Sequence, residues 1–103
     1  MKKLMTACLL SATTVLTGAA YAKDLMPAEV EQLTQAGAIK TLAELNNILL
    51  ELHPGAVVTD AEFETSSLQG YVYEAELYDA QGAEWDIDLN AATGAVIKNQ
   101  RDY

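Results

Sequence analysis

The sequence predicts an α+β domain: one main helix packed on a three- to four-stranded antiparallel sheet, preceded by a short N-terminal helix. Three observations carry that prediction. Leu42, Leu45, Ile48, Leu49 and Leu52 recur at the spacing of one helix face, directly behind a Thr41–Glu44 capping box. Beyond Val57 the chain alternates apolar and polar residues with period two, as strands do when one side meets a core and the other meets water. Short turn sequences separate the alternating segments.

Taken in order, the chain opens with a leader. Lys2 and Lys3 form a basic start, Leu4 to Gly18 is apolar or small, and Ala20-Tyr21-Ala22 supplies the small residues that signal peptidase requires. Residues 1–22 therefore read as a secretory signal peptide cut after Ala22. The apolar run is short for a span of ~20 residues, so no membrane insertion is expected after cleavage. Cys8 is the only cysteine and leaves with the leader. The exported chain then has no disulfide, although the periplasm or the medium would permit one.

Residues 23–38 are expected to form a short helix or linker. Pro27 suits the first helical position and Glu29 the first turn, Val30 and Leu33 make a narrow apolar stripe, and Gly37 stops the helix. The main domain runs over 39–103. Its helix starts at the Thr41 cap and ends at His53, which Pro54 pushes off the α region.

Three alternating segments follow. Val57, Thr59, Ala61 and Phe63 oppose Val58, Asp60, Glu62 and Glu64; Tyr71, Tyr73, Ala75 and Leu77 oppose Val72, Glu74, Glu76 and Tyr78; Trp85, Ile87 and Leu89 oppose Glu84, Asp86, Asp88 and Asn90. A last strand is expected from Ala95 to Asn99. Asp79-Ala80-Gln81-Gly82 has the Asp and Gly of a type I turn, and Asn90-Ala91-Ala92-Thr93-Gly94 begins and ends as a tight turn should.

Asp86, Asp88 and Asn90 also resemble the opening of a calcium loop. Counted from Asp86, however, the sixth and twelfth positions are Ala91 and Ile97, where such a loop needs Gly and a bidentate Glu. Trp85, Ile87 and Leu89 between the oxygens belong to a strand. No resident metal and no cofactor is expected.

Charge narrows the function. The formal net charge is −9 at pH 7, and loss of Lys2 and Lys3 makes it more negative still. Nucleic acid and anionic membranes repel such a chain. Catalysis lacks a set of groups: His53 is the only histidine, no cysteine survives export, and carboxylates on a solvated strand face lack the burial that acid catalysis uses. The dipole at the helix end suits His53 to a capping role.

What remains is one sheet face. Asp60, Glu62, Glu64, Glu74, Glu76, Asp86 and Asp88 all project to the side away from Phe63, Tyr73 and Ile87, with Tyr78 among them. Directly opposed like charges cost up to about 1 kcal/mol per pair. A basic protein partner would relieve that cost, and so would divalent cations or cationic peptides. A solvated, solubilising surface is the plainer alternative. A free strand edge is a further way to hold a partner, and the sequence does not say which edge is free.

The segment G-Y-V-Y-E-A-E-L-Y-D-A-Q-G-A-E-W-D-I-D-L-N-A-A-T-G-A-V-I (Gly70 to Ile97), with the helix exit L-x-E-L-x-P-G-A-V-V ahead of it, resembles the PepSY domain, the module of peptidase propeptides and YpeB. The resemblance covers Ile39 to Tyr103. Asn90 stands where the family often has Asp before A-x-T-G, which keeps turn geometry and drops a charge. The resemblance implies a non-catalytic exported module that binds, and inhibits or regulates, a peptidase or another envelope protein.

Overall fold

The computed structural model describes residues 22–103. The predicted leader lies outside that range except for Ala22. The elements are β1 (Ala22–Asp24), α1 (Pro27–Gln35), α2 (Leu42–Leu52), β2 (Val57–Ser66), β3 (Gly70–Tyr78), β4 (Glu84–Asn90) and β5 (Val96–Asp102). The strands form one antiparallel sheet in the order β1-β2-β3-β4-β5. The α+β class holds; the sheet has five strands where three or four were expected.

The added strand is β1, in the segment expected to be helix or linker. It pairs Lys23 with Thr65 and Asp24 with Glu64, and the Leu25 amide donates to the Phe63 carbonyl at 2.9 Å. The chain then turns into α1. Glu29 accepts from the Met26 amide at 2.9 Å, and Pro27 begins the helix as expected. Gly37, at φ 76°, lets the Ala38 amide reach the Leu33 carbonyl at 2.9 Å and close the helix. Leu25, Val30 and Leu33 pack on the core but none is fully buried.

Helix α2 is capped as the sequence predicts. The Glu44 amide donates to Thr41 Oγ1 at 3.1 Å, and the Thr41 amide donates to Glu44 Oε1 at 2.9 Å. Such a cap contributes about 1 kcal/mol. Leu45 and Leu49 are fully buried against Tyr73, Leu77, Ile87 and Leu89. Leu42, counted on the same face, lies beyond the sheet's cover and is exposed. The Tyr73 hydroxyl donates to Asn46 Oδ1 at 2.7 Å, tying α2 to β3.

Two strand readings need correction. The β2–β3 register shifts between Val58 and Asp60, so Thr59 is bulged. Val58 therefore sits opposite Leu77 and packs on the core, while Val57 lies opposite Tyr78 and is exposed. Strand β5 starts at Val96 and continues to Asp102, past the expected Asn99. Its sequence hides this because its helix-side neighbours are polar: Asn99 Oδ1 lies 2.9 Å from His53 Nε2.

The turns follow the sequence closely. Asp79 Oδ1 accepts from the Gln81 and Ala83 amides at 3.0 and 2.8 Å. Asn90 Oδ1 accepts from the Ala92 and Thr93 amides at 2.9 and 3.0 Å, so Asn90 holds the turn. Gly94 has φ 81° and faces Ile48 so closely that a Cβ there would lie 2.6 Å from Ile48 Cδ1. The Lys40 amide donates to the Ala91 carbonyl at 2.8 Å, fixing this turn beneath the start of α2.

Candidate functional site

Both helices lie on one side of the sheet, and no described element covers the other. The register lines carboxylates across that open face. One row reads Asp60, Glu76, Asp86 and Gln100; the next reads Glu62, Glu74, Asp88 and Lys98. Glu64 continues along β2 between Asp24 and Val72. Tyr78, 43% exposed, stands at the far end of β3 between Val57 and Glu84. All eight residues singled out in the sequence thus share one face. A shallow basin of about 170 Å³ lies between the two rows, closed at one end by Lys98.

Burial divides the acids. Asp60, Glu62 and Glu76 are exposed, Glu74, Asp86 and Asp88 are half-buried, and Glu64 is 8% exposed. Glu64 and Glu74 border a small depression together with Val72, Ile97, Ser66 and Gln69. There the hydrogen bond between the Glu64 and Glu74 carboxyls, assisted by desolvation, pushes Glu74 up from 4.5 to about 7. Glu62 is raised chiefly by the charge of Asp24, and by a hydrogen bond with it. Burial is the largest cause of the upward shifts of Glu76 and Asp88, and the Lys98 ammonium opposes that of Asp88. Among the described residues, Asp86 Oδ1 is buried with no hydrogen-bond partner.

Sequence reasoning missed Asp24, which joins the face through β1, and Lys98, its one opposing charge in the central rows. Asp24 lies in the segment expected to be helix or linker, and Lys98 shares this face only through the register of β5 with β4. On the helix side, His53 fills a structural place: it is the C-cap of α2 and packs on Trp85 with ring centroids 4.5 Å apart. The Trp85 indole donates to Asp79 Oδ2 at 3.0 Å, and this bond is the largest cause of the low Asp79 pKa.

The face is suited to holding cationic groups by charge and hydrogen bonding. Among the described residues no group of three or more His, Cys, Asp or Glu is placed to hold a metal ion. No described helix is long and apolar enough to cross a membrane. The family model "PepSY: Peptidase propeptide and YPEB domain" matches residues 39–99, from the loop ahead of α2 into β5. No curated protein and no solved structure matches the chain.

Proposed function

The chain belongs to the PepSY family, and on that premise we propose that it is an exported, non-catalytic module that binds a peptidase or another envelope protein and inhibits or regulates it. Contact is made through the acidic sheet face, with Tyr78 as an aromatic anchor at its end. The observation that carries this reading is the alignment of carboxylates across β2, β3 and β4 on a face that no described element covers. Raised carboxyl pKa values there record mutual repulsion and desolvation. A basic partner surface would relieve both. The orphaned Asp86 Oδ1 supports the same reading, because a partner's donor would satisfy it. Nothing in the described geometry favours the divalent-cation alternative.

The test is capture from envelope extract at low salt with tagged residues 23–103, crosslinking and mass spectrometry. The comparison is a variant with Glu74, Glu76, Asp86 and Asp88 reversed to Lys, and a neutral Gln/Asn set guards against misfolding. A dominant peptidase or envelope protein lost from both folded variants supports the proposal. The same partner captured equally by all three forms sinks it.

A further inference from the structure

The sheet has two ends, and they differ. At one, β1 pairs only with Glu64, Thr65 and Ser66 of β2, and Leu25 adds its bond to the Phe63 carbonyl before the chain departs into α1. From Val57 to Glu62, β2 therefore has a neighbour on its β3 side alone among the described residues. Strand alternation sends the backbone groups of residues two apart to the same edge. Because the Phe63 carbonyl points outward to Leu25, the N–H and C=O of Ala61 point outward as well. The bulge at Thr59 ends this open stretch.

What flanks the stretch is as informative as its free backbone. On the helix side, two shallow apolar depressions border Ala61 and Phe63. One, of about 520 Å³, lies toward α2 beside Leu42, Val58 and Tyr73; the other, of about 390 Å³, lies toward α1 beside Leu25, Pro27 and Val30. Ala61 is exposed although its side chain is on the helix side, and Leu42 is 54% exposed. On the other side of the same edge stand the carboxylates of Asp60 and Glu62, with Asp24 beside Glu62.

We propose that the open β2 edge from Asp60 to Glu62 takes an extended peptide segment of a partner as an additional strand in the line of β1, and that this segment alternates apolar residues with Lys or Arg. Its apolar side chains enter the two depressions, its basic ones meet Asp60 and Glu62, and its backbone bonds to Ala61. This is strand addition, in which the main chain gives affinity and alternate side chains give selectivity. Charge complementarity selects this edge over β5, whose outer strand carries Lys98 and Arg101 and presents polar Asn99 toward the helices. The inference rests on the binding role proposed above and names the part of the partner that docks.

The test uses residues 23–103 and a labelled hexapeptide of alternating valine and lysine, followed by fluorescence anisotropy at low salt. Controls are the same peptide N-methylated at alternate residues, which keeps charge but cannot pair as a strand, and a valine–glutamate version. Both controls are expected to bind at least tenfold more weakly. Ala61→Pro should abolish binding with the fold intact, because proline is tolerated where the strand N–H faces outward; amide exchange at Ala61 should slow on peptide binding in the native protein. Equal binding of the N-methylated peptide overturns the proposal. Binding that survives in Ala61→Pro but is lost in the Glu74, Glu76, Asp86 and Asp88 reversal puts the guest on the acidic face, overturning the edge while sparing the face. A concentration-dependent dimer that Ala61→Pro abolishes, with no peptide binding, assigns the edge to a second copy and also overturns it.

Discussion

Glu64 and Glu74 are hydrogen-bonded to each other across β2 and β3, diagonal neighbours in a register that pairs Glu64 with Val72 and Glu62 with Glu74. That contact, together with desolvation, makes the Glu74 carboxyl hold its proton more tightly than an ordinary one. The sheet face is thus at once strongly acidic and the place where one carboxyl, that of Glu74, is pushed up to about 7.

That pair sets the pH dependence of stability. Glu74 binds its proton more tightly folded, at about 7, than at its ordinary 4.5. Its contribution is therefore fully present below pH 4.5 and is lost as pH rises through about 7. Glu76 and Asp88 are raised too and act with the same sign. Melting temperature should rise as pH falls from 8 to 5, with the Glu74 share worth about 1 kcal/mol after solvent screening. Glu44 and Asp79 are lowered and act the other way, costing stability only under stronger acid. Glu74→Gln should flatten the rise between pH 5 and 8; an unchanged slope would disprove the raised Glu74 pKa.

Gly94→Ala should cost more than Gly70→Ala or Gly82→Ala. It combines φ 81° with a Cβ placed 2.6 Å from Ile48 Cδ1, whereas Gly70 and Gly82 have positive φ and open space. Left-handed strain costs about 1–2 kcal/mol at each of the three. At Gly94 the Ile48 Cδ1 methyl must also swing aside, which adds roughly 0.5–1 kcal/mol. Urea midpoints of the three alanine variants check the order.

Tyr73→Phe should cost about 1 kcal/mol, the usual net worth of one partly buried hydrogen bond, because it removes the tie to Asn46 and leaves the stacking on Phe63. Asn46→Ala should cost a similar amount, and the two losses should not add. Full additivity in the double variant would show that the bond contributes nothing to docking of α2.

These particulars also show how far the sequence was legible. Helix α2, its cap, the turns at Asp79 and Asn90 and the shared face of the acidic residues were readable, because each rests on a local rule of spacing or turn chemistry. The PepSY resemblance was readable from Gly70 to Ile97 for the same reason. Strand β1 was not: three residues, Ala22–Asp24, have no period of their own and become a strand only by pairing with β2. The bulge at Thr59 and the far half of β5 were hidden too, one because a single extra residue leaves the composition unchanged, the other because an edge strand beside polar neighbours need not alternate. The raised pKa of Glu74 depends on its contact with Glu64 and on desolvation, which only the assembled sheet provides.

The most direct test of the acidic face as a binding surface is the salt dependence of affinity for the partner that capture identifies. Binding of residues 23–103 to that purified protein would be measured by calorimetry from 50 to 500 mM salt, with the Glu74, Glu76, Asp86 and Asp88 reversal beside it. Steered contact between a carboxylate face and basic groups predicts a dissociation constant that weakens at least tenfold over that range, and no measurable binding by the reversed form. An affinity indifferent to salt and to the reversal would contradict the account and leave the face as a solvated surface.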